Sequence, residues 1–564
     1  MAGKLIWTRI VLVFGLLSTT VLAQKPAPKP VAHAAFPAGE TTPLGNKIAA
    51  LLADPSVSRA HWGIAVTALD GTPIYGLDEG KLFRPASNAK LFTTAAAMAL
   101  TGPKRVLSTD VWGNTPDATG AVAGDVVLYG AGDSSFSTED IPYRTAAQRH
   151  AEGLPPTPAD PLLGIDELAV QIAARGVRRI SGNVVGNDML WVYEPYPDTW
   201  GIDDLTTADG APVSALTLND NTVVLKIMPG AVAGDDANAT LLPADTGYTV
   251  ELHVTTVEAK AAASFSIERA VGSKVVRVFG TVAIGAPRSQ EIAVDHPAQF
   301  AANALRDRLI AHGIAVDGVA TEAHMLATDP RGFTSESREP MTPQMLTSWN
   351  GLVGFQSCDQ IVKPGETAKP CVFPVKLAEH ISAPLADEVV FTLKISQNLH
   401  AEMLLRELGH DHGTPYIPLV STPNTTAQGA RVVRQFLINA GLDGDDFVFY
   451  DGSGLSSHDL VTPRATAKLL SFATTQPWFA QWKSALPVGG VDGTLASRFT
   501  TEPLKGHVFA KTGTLGESRA LSGYLDCASG RQVIFSIMVD NHTPAGSADR
   551  AVMDKIVTAI AAEN

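Results

Sequence analysis

The two ends of this chain share a pattern that its middle lacks, and this limits the fold more than any other feature. A helical pattern over Pro43 to Ala53 is followed by two β-type runs around an Asp70-Gly71 turn and then by an apolar helix. Three β-type runs and a helical pattern, Ala545 to Ala562, close the chain. Between them, from Ser108 to about Ala320, many short β-type runs alternate with Gly, Asp and Pro. We therefore expect one domain divided by an insertion.

The fold class that follows is mixed α/β, of the α+β kind. Adjacent β-type runs near the C-terminus favour an antiparallel sheet flanked by helices. We assign residues 43–106 and 386–564 to the divided domain and residues 107–385 to inserted mixed α/β domains, with a second one nested near 134–208. The polar, Pro- and Gly-rich segment 328–385 within the insertion is interpreted as an elaborated loop.

Composition and the N-terminus indicate a folded, exported protein. The 564 residues are 45% hydrophobic and 18% charged, and the net charge of −14 argues against a nucleic-acid partner. Two basic residues, an apolar run from Ile10 to Leu17 and Val21-Leu22-Ala23 predict a signal peptide over 1–23, followed by a Pro-rich linker over 24–42. An uncleaved anchor is the alternative, but the apolar run is short for a span of about 20 residues. We expect a periplasmic or cell-envelope protein without a stable membrane span.

Neither a metal nor a cofactor is expected. Cys358 and Cys371 share one segment, and whether they form a disulfide is left open; Cys527 is interpreted as a small apolar residue. His410-Asp411-His412 is interpreted as a helix end, where His favours the dipole, and not as a metal site. The chain has no His-Glu-x-x-His motif, phosphate loop or nucleotide fingerprint.

Ser87 and Lys90 form the first candidate catalytic pair. They stand three residues apart at the start of the apolar stretch Asn88 to Leu100, so one helix face carries both. A serine nucleophile needs a base, and a lysine can serve if burial or nearby positive charge keeps it neutral. Ser-x-x-Lys alone, however, is expected about once by chance in a chain of this length.

Two further motifs follow in the chain. Ser396-Gln397-Asn398 precedes the helical pattern Leu399 to Leu408, and its alternative interpretation is a plain helix N-cap. Lys511-Thr512-Gly513-Thr514 lies in a β-type run. There Lys supplies positive charge for a carboxylate, Thr supplies donors, and Gly lets a substrate approach the strand. The alternative is an ordinary strand with a solvated lysine.

The order and contexts of the three motifs resemble the serine β-lactamase and penicillin-binding superfamily. The 309 positions between Ser87 and Ser396 make the resemblance closest to the D-alanyl-D-alanine carboxypeptidase/endopeptidase family, the class C low-molecular-mass penicillin-binding proteins. Further segments are similar to that family: Gly130-Ala131-Gly132-Asp133, Ala211-Pro212-Val213-Ser214-Ala215-Leu216, Asn219-Asp220-Asn221 and Asp451-Gly452-Ser453-Gly454-Leu455-Ser456. Two features depart from it: Ser457-His458 stands where the family often carries Arg, and segment 328–385 is an addition.

The resemblance implies a serine-type carboxypeptidase that acts on peptidoglycan stem peptides ending in D-Ala-D-Ala and is inhibited by β-lactams. Ser87 would be the nucleophile and Lys90 the base, with Ser396 and Asn398 assisting proton transfer and positioning. Lys511, Thr512, Gly513 and Thr514 would bind substrate. A β-lactamase and a catalytically silent peptidoglycan-binding scaffold remain as alternatives, and a homo-oligomer is left open.

Overall fold

The computed structural model describes residues 33, 35–36, 42–136, 140–154, 160–244, 246–347, 375–414, 422–543 and 546–564. Residues 35–564 form one unit by their packing. The predicted signal peptide, nearly all of the predicted linker, Cys358 and Cys371 lie outside the described residues. No helix in the described ranges has the length and hydropathy needed to cross a bilayer.

Helices and strands are numbered in chain order. The described helices are α1 Pro43–Leu52, α2 Ala89–Leu100, α3 Ala146–Ala151, α4 Leu163–Ala174, α5 Pro297–Ala311, α6 Phe333–Ser337, α7 Pro343–Thr347, α8 Leu385–Ile395, α9 Asn398–His412, α10 Thr425–Asn439, α11 Pro463–Ala473, α12 Phe479–Ser484 and α13 Ala548–Glu563.

The described strands are β1 His61–Ala68, β2 Pro73–Leu77, β3 Ser108–Gly113, β4 Ala121–Val122, β5 Val126–Tyr129, β6 Arg179–Ile180, β7 Val184–Val192, β8 Thr222–Met228, β9 Asn238–Leu242, β10 Thr249–Val257, β11 Phe265–Glu268, β12 Val275–Ala283, β13 Arg288–Ala293, β14 Ala315–Val316, β15 Ala320–Met325, β16 Val375–Ile381, β17 Phe447–Val448, β18 Leu460–Val461, β19 Val508–Leu515, β20 Ser518–Asp526 and β21 Gln532–Asp540.

One antiparallel sheet joins the two ends of the chain. Its order is β19-β20-β21-β1-β2, and β1 pairs with β21 from His61–Asp540 to Ala68–Val533. Helices α1 and α13 pack on one face, where Ile48 and Ile556 are fully buried. Helices α2 and α8 to α12 contribute to the core on the other face. The predicted class, an antiparallel sheet flanked by helices and interrupted by a β-rich insertion, is confirmed, and we propose 43–106 and 386–564 as the divided domain.

The insertion contains several small sheets. A mixed five-stranded sheet, β15-β7-β5-β3-β16, and two three-stranded sheets, β13-β8-β9 and β10-β12-β11, share a second apolar core with α4 and α5. The interpretation of 328–385 as a loop is wrong at its end, because β16 pairs antiparallel with β3 in the mixed sheet. Helix α8, which follows directly, was not predicted either. Cys527 is a buried, free thiol, as expected for a small apolar residue.

Helix α9, which begins with Asn398, is fixed by a close crossing with α10. An added Cβ at Gly409 would lie 2.5 Å from the carbonyl oxygen of Thr425, and one at Gly429 would lie 2.2 Å from that of Leu405. Backbone atoms cannot move aside as a side chain can. The two glycines therefore set the distance between the helices.

Substitution of Gly429 by Ala is expected to lower the free energy of unfolding. The added methyl group must separate two helix backbones, which costs about 1–3 kcal/mol or more and outweighs the gain of about 1 kcal/mol in helix propensity. Denaturant unfolding followed by circular dichroism measures the change. Gly332→Ala is the control, since an added Cβ there meets nothing within 4 Å; equal stability of the two variants would contradict the close crossing.

Candidate active site

Ser87 lies in a single turn of 3-10 helix, Ala86–Asn88, that leads into α2. Ala86 has φ 45°, in the left-handed region that costs a non-glycine residue about 1–2 kcal/mol. Two contacts hold this turn: Asn88 Nδ2 donates to the carbonyl oxygen of Lys511 at 3.0 Å, and Gly454 is so close that an added Cβ would lie 1.8 Å from the carbonyl oxygen of Ala86. The surroundings thus hold Ala86, and with it the serine turn, in a conformation that the segment would not adopt alone.

Lys90 follows one turn later, and its amine is fully buried among three oxygen atoms. Nζ lies 2.9 Å from Ser87 Oγ, 2.6 Å from Asn398 Oδ1 and 2.7 Å from the carbonyl oxygen of Ser453. We call these four groups the base site. The amide and carbonyl oxygens can only accept, so a neutral amine donates both of its hydrogens to them. Its lone pair then faces Ser87, the one partner with a proton to give.

Burial makes the Lys90 amine easier to deprotonate than a lysine in water. Burial lowers the pKa of Lys90 to about 8, although Asp451, Glu402, Asp209 and Asp459 each raise it. At pH 7 a pKa of about 8 leaves roughly a tenth of the molecules with a neutral base. Burial therefore lowers the pKa of Lys90 in the direction that a serine–lysine pair requires.

Two carboxyl groups hold the loop that carries Ser453, whose carbonyl oxygen contacts Lys90 Nζ. Asp451 Oδ1 accepts from the backbone N–H groups of Ser453 and Gly454, and its Oδ2 accepts from Ser456 N and Trp200 Nε1. Glu402 Oε1, from α9, accepts from Ser453 N at 2.9 Å. The sequence motifs did not single out this support. The signal for Asp451 was that it lies in the family-like segment Asp451 to Ser456, and Glu402 had none.

Ser396 is not a helix N-cap, so that alternative interpretation is wrong. It ends α8 with φ 71°, while Gln397 caps α9 through a bond from Leu399 N at 3.1 Å. This left-handed position turns the Ser396 hydroxyl to accept from Lys511 Nζ at 2.8 Å. Asn398 begins α9, and its Nδ2 donates to the carbonyl oxygen of Asp209 in the insertion at 3.0 Å.

Lys511 lies in the edge strand β19 and is fully buried, so the alternative of a solvated lysine is also wrong. Burial and the charge of Lys90 both lower the pKa of Lys511. Gly513 brings this strand against the serine turn, because an added Cβ would lie 3.2 Å from Ser87 N and 2.6 Å from the carbonyl oxygen of Pro85. A side chain at 513 would displace the serine turn.

Thr512 and Thr514 do not join Lys511 at Ser396. Neighbouring side chains of a strand point to opposite faces, and Thr512 Oγ1 donates to Thr494 Oγ1 at 2.8 Å. Both threonines instead line a cavity with Arg498, Arg519 and Arg550, which we call the arginine cavity. The eight predicted residues thus form the base site, the Ser396–Lys511 pair, and the strand surface next to them. Within the described ranges no three His, Cys, Asp or Glu side chains are grouped as metal ligands.

Known proteins resemble this chain over nearly its whole length. The model of the D-Ala-D-Ala carboxypeptidase 3 (S13) family matches residues 44–350 and 344–561. A D-alanyl-D-alanine carboxypeptidase from an Actinomadura species is 30% identical over 558 residues, which cover 97% of this chain and 88% of that protein.

Solved structures are similar in fold. Penicillin binding protein 4 from Haemophilus influenzae superposes with a TM-score of 0.67 at 20% identity, covering 91% of this chain and 98% of its own. The same protein complexed with a β-lactam superposes with a TM-score of 0.63 at 18% identity, covering 92% of this chain and 98% of its own.

The lowered pKa of Lys90 predicts that any reaction of Ser87 in which Lys90 acts as the base depends on pH. Because the neutral amine is the active form, acylation of Ser87 by a labelled penicillin is expected to speed up with rising pH and to level off above about 8. Asp451→Asn removes a negative charge that raises the pKa of Lys90. The pH at which the labelling rate is half-maximal should therefore be lower in this variant. Stopped-time labelling across pH measures both.

The exposed Asp54→Asn is the control for this experiment, because Asp54 lies at the surface between α1 and β1. A rate that is constant through pH 8, or a midpoint that Asp451→Asn raises, would contradict the assignment of Lys90 as the titrating base.

Proposed function

Because the chain belongs to the D-Ala-D-Ala carboxypeptidase 3 (S13) family, and is therefore a serine-type carboxypeptidase, we propose that it cleaves the D-Ala-D-Ala bond of peptidoglycan stem peptides through an acyl-enzyme on Ser87. The observation that carries this proposal is the base site, in which only Ser87 among the three partners of Lys90 Nζ has a proton to give.

In the acylation step, the neutral Lys90 amine takes the proton of Ser87 as Oγ bonds to the carbonyl carbon of the penultimate D-Ala. The tetrahedral intermediate places negative charge on the carbonyl oxygen, and preorganised backbone donors stabilise such a charge. We assign this role to the backbone N–H groups of Ser87 and Thr514. The contact of Gly513 with the serine turn supports this, since it brings strand β19 to the nucleophile.

Departure of D-Ala requires a proton on its amine, and the source is the proton that Lys90 has taken from Ser87, so Lys90 returns to its neutral form. The hydroxyl of Ser396 is suited to relay that proton, because it contacts Lys511 Nζ and lies in the turn between α8 and α9. Asn398 keeps a second Nδ2 hydrogen after donating to Asp209, and this hydrogen is available for a substrate amide. Water then attacks the ester, and Ser87 recovers its proton as the peptide acid leaves.

We assign the terminal carboxylate to the hydroxyls of Thr512 and Thr514, with Lys511 supplying positive charge from the other face of β19. A bound carboxylate would favour the charged form of Lys511, whose pKa burial lowers in the free protein. β-Lactams present a comparable carboxylate beside a reactive amide, so we expect them to acylate Ser87 as inhibitors. We also propose that the protein acts in the cell envelope after removal of residues 1–23.

The two alternatives differ in what happens to penicillin. A β-lactamase would release it rapidly, and a silent scaffold would form no adduct, whereas the proposed carboxypeptidase holds a stable one. Product analysis on purified muropeptides separates trimming of terminal D-Ala from cleavage of cross-links between stems, because only the second converts dimers to monomers.

Ser87→Ala is expected to abolish both the labelled-penicillin adduct and release of D-Ala from a pentapeptide. Loss of the nucleophile leaves only binding and the oxyanion donors, so release should fall by at least about a thousandfold. Ser58→Ala, at an exposed serine, is the matched control. D-Ala release by Ser87→Ala at the normal rate would contradict the assignment of Ser87 as the nucleophile.

Lys90→Ala should suppress acylation while the chain stays folded. The substitution removes the base but leaves Ser87 in its turn, so circular dichroism should match the unsubstituted protein while labelling is lost. Labelling at the normal rate would show that another group activates the serine.

A further inference from the structure

The arginine cavity has a volume of about 490 Å³ and lies beside β19, on the face opposite Lys511. Its other walls are the segment 494–499, the start of β20 and the first turns of α13. Thr512, Gly513 and Thr514 belong both to this cavity and to the strand next to Ser87. It therefore continues the proposed cleft on the side of Thr512 and Thr514, whose hydroxyls we assign to the terminal carboxylate.

Two of the three arginines that line the cavity pair with carboxylates, and the third does not within the described residues. Arg498 Nε donates to Asp554 Oδ1 at 3.1 Å, and Arg519 pairs with Asp549 and donates to the carbonyl oxygen of Gly546. Arg550, on the exposed side of α13, makes no ion pair within the described ranges. Three guanidinium groups thus face two carboxylates, and the unmatched positive charge favours an anion.

The cavity is larger than the leaving group that is released when a terminal D-Ala is trimmed. When a pentapeptide is trimmed, the leaving group is a single alanine with one carboxylate, which the threonine hydroxyls are proposed to hold. Cavities of this volume accommodate ligands much larger than one alanine. Arg550 lines the same cavity as the two threonines, so we expect an additional carboxylate on a longer leaving group to meet that side chain.

We propose that the arginine cavity is an anion-binding subsite for a second carboxylate of the leaving group, with Arg550 as the residue that selects for it. Peptides released from cross-linked stems carry such additional carboxylates, so the subsite would favour them over neutral leaving groups. This inference rests on the proposed acyl-enzyme reaction at Ser87 and adds a preference to it.

The test uses two synthetic substrates that share one acyl-D-Ala portion and differ in the leaving residue, D-Glu in one and D-Gln in the other. They are nearly equal in size and differ by one negative charge. The full-length protein should cleave the D-Glu substrate with the higher kcat/KM. Arg550→Gln should reduce the D-Glu to D-Gln ratio of kcat/KM about tenfold, mainly through KM, and Arg550→Lys should keep part of the preference.

Arg175→Gln is the matched control, because Arg175 is exposed at the end of α4 in the insertion. High salt should also weaken the preference, since Arg550 is exposed and its charge is screened. A ratio that Arg550→Gln leaves unchanged would overturn the subsite.

The same measurements distinguish failure of the anion-binding subsite from failure of the proposed function. If labelled penicillin still acylates Ser87 and both substrates release their leaving residue at equal rates, the subsite is wrong and the proposed function stands. If neither an adduct nor release is seen in the unsubstituted protein, the proposed function is itself wrong.

Discussion

The hydrogen bonds at Lys90 Nζ are the interaction on which the rest of the site depends. They bring Ser87 together with Asn398 and the Ser453 carbonyl, each of which lies more than 300 positions further along the chain. A buried amine is costly when charged and costly when unbonded. The base site resolves this, because two acceptors take the hydrogens of a neutral amine and leave its lone pair for the serine.

Close backbone contacts keep the serine turn in place against the strain at Ala86. Gly454 approaches it from the loop that Asp451 and Glu402 hold, and Gly513 approaches it from the edge strand. Neither position has room for a side chain. The same loop supplies the Ser453 carbonyl, so Ser87 and Lys90 are positioned by one set of contacts.

Much of the fold could be predicted from the sequence where a local pattern determines the element. The turn at Asp70-Gly71 and the Pro- and Gly-free stretch of α2 are such cases. Strand β16 could not be found, because its edge position comes from pairing with β3, a partner more than 250 residues away. Long-range pairing overrides weak local preference.

The motifs of the site could be predicted, but their surroundings could not. Ser396 has a residue type that favours an N-cap, yet it takes the left-handed end of α8 because its hydroxyl meets Lys511. Glu402 carried no signal and Asp451 belonged only to a family-like segment, since tertiary packing is what buries both beside Lys90. The central claim, that buried Lys90 makes Ser87 the nucleophile, is tested most directly by peptide mapping of the protein after reaction with penicillin: we expect the adduct on Ser87, within the tryptic peptide 82–90, and an adduct on any other residue would contradict it.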